Sequence, residues 1–196
     1  MGNRASKVLT GVLVLGLAGL CLARREGLWT MELKHGGLEH VIVQTKSGLE
    51  VFYYLAYEVT NKSGEERSVT PQAKIVTETG QTLHAIPVPQ VAKAVSEARG
   101  KNYLDTMEMS QEKIADGQSR YGVLVFRGLD DAADRLDVYI YGLSNEYKYQ
   151  DEKARTGFLQ KVYHMKLYRP GDEMDRQRDR VEIREKGWMW LSPEAK

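Results

Sequence analysis

Cysteine is nearly absent from this chain of 196 residues, because Cys21 is the only one. The chain therefore has no internal disulfide, and beyond residue 21 it has neither a thiolate nucleophile nor a sulfur ligand for a metal. Secreted eukaryotic domains of this size often carry disulfide bridges. Their absence favours a bacterial protein that is stabilised by its hydrophobic core alone.

The chain also lacks an excess of charge of one sign, with 28 Lys and Arg against 27 Asp and Glu. Attraction of a polyanion requires a clear basic excess on the protein. We therefore expect no nucleic-acid partner.

The strong catalytic motifs are missing as well. The sequence has no Gly-x-Gly-x-x-Gly, no phosphate-binding loop, no Gly-x-Ser-x-Gly elbow and no His-Glu-x-x-His helix. Its four histidines are not spaced so that two rings of one element would share a metal ion. We expect a protein that has no cofactor and is not an enzyme.

One long uncharged run is present, Val8–Ala23, and it is preceded by Arg4 and Lys7. A basic stretch, an apolar stretch and a small final residue form the layout of a secretory signal. The run has 16 residues, whereas a membrane-spanning helix needs about 20, and two arginines that oppose translocation follow it. We expect export, with residues 1–23 acting as a signal peptide or as an N-terminal membrane anchor.

Export places the rest of the chain in the periplasm, on the cell surface or outside the cell. Membrane contact then comes only from residues 8–23, and only if they are not removed. Two lipidation patterns are less favoured: the apolar run competes with N-myristoylation of Gly2, and bulky Leu20 precedes the cysteine that a lipoprotein signal would modify.

Beyond residue 23, apolar residues recur mainly at every second position, which is the period of a strand with one buried face. The clearest strand has five such residues on one face: Val51, Tyr53, Leu55, Tyr57 and Val59. Its other face is also apolar, with Phe52, Tyr54 and Ala56. Apolar residues on both faces predict a central strand of a sheet.

Further strands are predicted before and after this one. A turn at Gly36-Gly37 is expected to close a short hairpin early in the chain. The strands Gly122–Phe126 and Leu136–Ile140 are expected to pair with each other. Phe158–Leu167 predicts another strand, and a final strand is predicted around two alternating tryptophans.

One helix interrupts the strands, because apolar residues at helical spacing lie between Pro89 and Gly100. Met107 and Met109 alternate instead, which predicts a short strand at that point. Many short strands with one inserted helix predict a single β-sandwich domain over residues 24–196, and not a doubly wound α/β fold.

Several strands and turns between Val51 and Leu143 form a recognisable series. Its parts are an aromatic strand that ends in Asn61, the Thr79-Gly80 turn, the compact strand Gly122–Phe126 and the closing Gly142-Leu143. This series resembles exported bacterial immunoglobulin-like domains of unknown function. The resemblance implies a mainly β fold, an immunoglobulin-like β-sandwich, and it supplies no activity and no site residues.

Aromatic residues are plentiful, with 11 Tyr and 3 Trp. Rings that are exposed on a flat sheet can stack against sugar rings. The candidates for such a ligand-binding surface are Tyr139, Tyr141, Tyr147, Tyr149 and Trp190. The simpler interpretation is that alternating tyrosines complete a sheet face or pack beneath the helix.

Acidic residues cluster in one loop, at Asp130, Asp131 and Asp134. Their carboxylates are a candidate calcium site, although the loop does not follow the EF-hand pattern and solvated turn charge is the simpler interpretation. A second cluster, at residues 172–179, is interleaved with arginines.

The function that these features favour is a non-catalytic binding or assembly domain of the bacterial cell envelope. It would act through a sheet face or a sheet edge on a protein or an envelope glycan. One alternative is a carbohydrate-binding module that uses the exposed tyrosines. Another is a hydrolase of unrecognised type that uses an acidic cluster.

Overall fold

The computed structural model describes residues 27–170 and 181–192. The expected signal or anchor, residues 1–23, lies outside the described residues. Within the two described ranges, none of the helices has the length and apolar character that crossing a membrane requires.

The described residues form a mainly β structure with two sheets, as the two-residue periodicity predicts. The elements are β1 (Glu32–Thr45), β2 (Gly48–Thr60), β3 (Gln72–Thr77), β4 (Thr82–His84), α1 (Pro89–Arg99), β5 (Tyr103–Leu104), α2 (Thr106–Gln111), β6 (Ser119–Arg127), β7 (Arg135–Tyr141), β8 (Tyr147–Asp151), β9 (Thr156–Tyr168) and β10 (Glu182–Leu191). The first sheet has the order β1-β2-β6-β5. The second has the order β10-β9-β7-β3-β4, and β8 also pairs with β9.

The main hydrophobic core lies between the two sheets and is built from alternate residues of their strands. Leu55 and Phe126 come from the first sheet, and Ile75, Ile140 and Met165 come from the second. None of the five is more than 1% exposed. Burial of each such side chain stabilises the fold by about 1.5–3 kcal/mol.

Strand β2 is buried on both faces, which confirms the prediction of a central strand. Tyr53 and Leu55 face the core between the sheets. Tyr54 on the opposite face packs with Val91 and Val95 of α1 in a second buried cluster. The helix, which begins at Pro89 as predicted and is capped at Gly100 in the left-handed conformation, therefore covers the outer face of the first sheet.

The stretch around Met107 forms a second helix, so the prediction of a short strand there is wrong. Asp105 caps α2, because its side chain accepts hydrogen bonds from the backbone nitrogens of Met107 and Glu108. The Glu108 carboxylate accepts one from the Asp105 nitrogen in return. This capping box starts a helix locally, and Met109 is then buried in the core on one side of it.

The turn predicted at Gly36-Gly37 is also wrong. Strand β1 continues through these glycines without a turn, and its register with β2 shifts between His35 and Leu38. Such a shift is a β-bulge, which bends an edge strand and makes it a poor template for another chain. The hairpin forms later, where Thr45 pairs with Gly48.

Strands β6 and β7 do not pair, contrary to the prediction. The first lies in one sheet beside β2, and the second lies in the other sheet between β3 and β9. The acidic loop between them therefore crosses from one sheet to the other. β6 is apolar on both faces because it lies between the core and α1, where Val123 and Val125 contact the helix cluster.

The outer face of the second sheet is the one large sheet face that the described residues leave uncovered. Both helices contact strands of the first sheet. The outward residues Lys74, Tyr139 and His164 of the second sheet belong to neither buried cluster. We call this surface the open face.

Gly142 ends β7 with a positive φ of 76°, and a Cβ atom there would overlap the backbone carbonyl of Thr70. We expect Gly142→Ala to lower the free energy of unfolding by about 2–4 kcal/mol, because it adds both backbone strain and a clash with a backbone atom. Urea denaturation measures the change. Gly187→Ala is the matched control, since a Cβ at Gly187 meets nothing within 4 Å. An equal loss of unfolding free energy in both variants would contradict the requirement for glycine at position 142.

Candidate functional site

The open face carries four of the five aromatic residues that the sequence marked as ligand candidates. Pairing with β9 sets their order: Tyr139 lies beside His164, Tyr147 beside Gln160 and Tyr149 beside Phe158. The same register puts Tyr141 between the first two. The four tyrosines therefore follow one line along the sheet, at intervals of two residues, over about 20 Å.

The far end of this line lies on the hairpin of β8 and β9, residues 147–160, which we call the aromatic arm. Its rings form a cluster: Tyr147 stacks on Phe158 with centroids 5.6 Å apart, and Tyr149 meets Phe158 edge-on at 6.4 Å. Cross-strand aromatic pairs stabilise a hairpin. Tyr147 and Phe158 nevertheless remain 48% and 44% exposed, so the arm presents ring surface to its surroundings.

The near end of the line is held by contacts between neighbouring strands. The Tyr139 ring stacks on His164 at 4.7 Å, and Lys74 Nζ lies 5.3 Å from its centroid. His164 Nε2 is 2.6 Å from a carboxylate oxygen of Asp137. Burial, and then the nearby Asp137 charge, raise the pKa of the Tyr139 hydroxyl. Tyr139 is thus fixed and stays protonated at neutral pH.

A cleft of about 260 Å³ lies beside Tyr141 in the middle of the open face. Its lining residues are Gln72, Ala73, Lys74, His84, Tyr141 and Gln160. Burial raises the pKa of the Tyr141 hydroxyl, which therefore remains a hydrogen-bond donor. Within the described part of the chain, the side chains of Gln72, His84 and Gln160 make no hydrogen bond, so their polar groups are available to a ligand.

This cleft continues around the edge of the sheet. Gln72 and His84 also line a second hollow of about 370 Å³, which is bounded by Pro87 and by Met107 of α2. Met107 is 59% exposed. The open face thus carries a row of aromatic rings and a polar cleft, and the cleft continues around the sheet edge into an apolar hollow.

Other hollows of the surface have polar groups that are already engaged. In one of about 370 Å³ at the end of β9, Lys166 pairs with Glu185 at 2.7 Å, and Arg184 pairs with Glu182 at 2.7 Å. In one of about 160 Å³ beside α1, the ammonium of Lys101 lies 4.3 Å from the ring centroid of Tyr121. The open-face cleft differs because its amides are unused.

Trp190, the fifth aromatic candidate, does not join the tyrosines. It pairs with Lys161 in β10 and β9, and Lys148 Nζ lies 4.8 Å from its ring. Lys148 follows Tyr147 in the strand and points to the opposite side. Trp190 therefore lies beneath the arm, on the face that continues the core.

Several residues of the open face were not singled out from the sequence as ligand candidates: Gln72, Lys74, His84 and Gln160 of the cleft, and Phe158 of the arm. Their shared face follows from strand register, in which Lys74 pairs with Tyr139 on one side and with His84 on the other. Period-two alternation identifies which residues of one strand share a face, but it does not show which strands are neighbours.

The acidic loop is organised around a cation from the protein itself. Arg169 is 3% exposed, and its Nη1 donates a hydrogen bond to the backbone oxygen of Asp130 at 3.0 Å. Its backbone nitrogen donates to the oxygen of Asp134, and Nη2 lies 3.9 Å from the Asp131 carboxylate. Thr79 donates to the Asp130 carboxylate at 2.7 Å. These contacts give the loop a structural role.

No metal site was found at the loop: among residues 27–170 and 181–192, no three His, Cys, Asp or Glu side chains are grouped so as to hold a metal ion. Calcium binding at Asp130, Asp131 and Asp134 stays a prediction that this geometry does not support.

Comparison with known proteins identifies no relative. No protein family, no curated protein and no solved structure matches the chain.

Removal of the buried guanidinium tests the role of the acidic loop. We expect Arg169→Leu to lower the free energy of unfolding by about 2–4 kcal/mol, because it leaves a buried carbonyl without its donor. Arg135→Leu, an exposed arginine beside the same loop, should change it by less than about 0.5 kcal/mol. Denaturation with urea measures both, and an unaffected Arg169→Leu variant would show that the loop does not depend on Arg169.

Proposed function

We propose that this protein is an exported, non-catalytic binding domain of the bacterial cell envelope, and that it binds a carbohydrate chain on the open face. Export rests on the basic start and the uncharged run of residues 8–23. The binding role rests on the surface chemistry of the second sheet.

The observation that carries the proposal is the group of unused polar side chains beside exposed rings. Gln72, Gln160 and His84 border one cleft and make no hydrogen bond in the described part of the chain. Sugar rings combine hydroxyl groups with apolar C–H faces. Amides satisfy the hydroxyls as donor and acceptor, and aromatic rings bury the apolar faces.

The length of the aromatic line favours a polymer over a single sugar. From Tyr141 at the cleft to Tyr149 on the arm, rings recur at intervals of about 6.7 Å along the sheet. Arg155 lies 5.4 Å from the Tyr149 ring at the far end. A linear polysaccharide that runs parallel to β7 and β8 would contact the cleft and the arm together.

The finer assignment of the fold is part of the same proposal: the sandwich is of the immunoglobulin type. Its first sheet, β1-β2-β6-β5, follows the order A-B-E-D of that type, and β9-β7-β3-β4 follows G-F-C-C′. Three features of its strands depart from it: β5 pairs with β6 in parallel over two residues, β8 is inserted between β7 and β9, and β10 is an additional edge strand.

A protein partner is the second candidate, and one observation favours it. The first half of β10 carries charges and a bulge, whereas its second half, residues 187–191, is uncharged and lies at the edge of the sheet. Another strand could pair with such an edge through backbone hydrogen bonds.

Removal of the two cleft amides tests the carbohydrate proposal. Polysaccharide pull-down, followed by titration of the retained glycan, should show binding to the full chain. We expect the double variant Gln72→Ala/Gln160→Ala to bind at least about fivefold more weakly, because each lost hydrogen bond is worth about 0.5–1.5 kcal/mol.

Gln44→Ala is the matched control, since this glutamine lies near the β1–β2 turn and its amide donates only to the Thr45 carbonyl. It should bind as the unaltered protein does. Retention of no glycan at all, or equal weakening in the control, would contradict the proposal; capture of a protein through the β10 edge would favour the second candidate.

A further inference from the structure

The first described residues run along the base of the aromatic arm. Thr30 forms an antiparallel bridge with Ser144. One residue earlier, the Trp29 nitrogen donates to the side chain of Asn145 at 2.7 Å, and the Asn145 amide donates to the Gly27 oxygen at 3.2 Å. Because the two segments are antiparallel, the chain traced back from Thr30 to Gly27 heads in the direction of the arm.

A half-buried ion pair fixes this arrangement. The Glu146 carboxylate accepts hydrogen bonds from the Thr30 hydroxyl at 2.6 Å and from Lys161 at 2.8 Å. Hydrogen bonds from Lys161 and Thr30 hold the pKa of Glu146 below its usual value. Glu146 directly precedes the arm and Lys161 directly follows it, so the entering chain is attached to both sides of the arm base.

The uncharged run Val8–Ala23 ends four residues before Gly27. Four residues of fully extended chain span at most about 14 Å. If the run remains in a bilayer, the base of the arm is held within that distance of the membrane surface.

The residues gathered at this end match what a membrane surface contacts. All three tryptophans of the chain lie near this end and are half-buried: Trp29 at the arm base and Trp188, 5.6 Å from Lys161 Nζ, pack against the core, and Trp190 lies beneath the arm, 4.8 Å from Lys148 Nζ. The half-exposed rings of the arm lie next to them, and its turn carries Lys153 and Arg155 as well as Asp151 and Glu152. Tryptophan and tyrosine concentrate at membrane–water interfaces, and lysine and arginine reach phosphate headgroups there.

We propose that residues 8–23 are retained as a membrane anchor and that the aromatic arm rests on the lipid headgroups of that membrane. The inference depends on the export part of the proposed function and not on carbohydrate binding. It makes the arm a second contact with the bilayer. The domain is thereby held in one orientation, with the β1–β2 turn directed away from the surface.

Labels at the two ends of the sandwich test this orientation. Strand β1 has 14 residues, so its turn lies about 40 Å from the end at which the chain enters. Two variants of the full chain are prepared, and in both the native cysteine is removed by Cys21→Ser. One carries Lys153→Cys in the arm turn, and the other carries Lys46→Cys in the β1–β2 turn. Each carries a fluorescent label, and the protein is reconstituted in phosphatidylcholine–phosphatidylglycerol vesicles that contain a nitroxide-headgroup lipid.

We expect the label at position 153 to be quenched at least about threefold more strongly than the label at position 46. The variant Tyr147→Ser/Phe158→Ser should reduce quenching at position 153, because it removes the exposed rings of the arm. Ile42→Ser/Leu49→Ser is the matched control, since these residues are 58% and 74% exposed on the β1–β2 hairpin, and it should change nothing.

Equal quenching at the two positions would overturn the proposal, as would an intact mass showing that protein recovered from cells begins near Arg24. Either result leaves carbohydrate binding to be judged by its own pull-down. Conversely, a chain that retains no glycan but shows the expected quenching would contradict the carbohydrate proposal and support the membrane proposal.

Discussion

The burial of β2 on both faces determines how the two sheets and α1 are arranged. Leu55 and its neighbours on one face need the second sheet, and Tyr54 on the other face needs α1. The first sheet is therefore covered on both sides, and it contributes only edges and turns to the surface. What remains is the outer face of the second sheet, whose outward residues pack in neither buried cluster. The burial of β2 on both faces thus leaves the outer face of the second sheet as the position of the candidate site.

The open face and the arm are consequences of the same sheet. β9 is the longest strand of that sheet, and it pairs with β7 along one part and with β8 along another. The four tyrosines therefore fall on one line, with the polar cleft in the middle and the arm at the end. The first described residues, Gly27–Thr30, run beside Asn145 at the base of the arm. The proposed membrane contact and the proposed ligand surface therefore share the aromatic arm. The two proposals share the rings of the arm, and they are tested separately because Gln72 and Gln160 are not among the exposed rings that the quenching variant removes.

Much of the fold was predictable where a pattern is local. Alternation identified both faces of β2, and Pro89 and Gly100 marked the limits of α1. The predictions from sequence are wrong where a local pattern is compatible with two structures, or where the deciding contact is distant in the chain. Gly36-Gly37 looks like a turn but forms a bulge, and Asp105 with Glu108 was a capping box that the alternation of two methionines obscured. The pairing of β6 and β7 failed because sequence adjacency does not reveal a crossing between sheets. The tyrosines were candidates from the sequence alone, but Gln72 and Gln160 were not, because only the register brings the two amides to one cleft.

Hydroxyl-radical footprinting of the full chain, with and without purified envelope polysaccharide, tests whether the open face is the ligand surface. Binding at the open face should lower the oxidation rates of Tyr141, Tyr147 and Phe158, while Tyr103 and Tyr121 beside α1 keep theirs. Protection confined to the α1 side, or no protection of any aromatic residue by a polysaccharide that the protein retains, would contradict it.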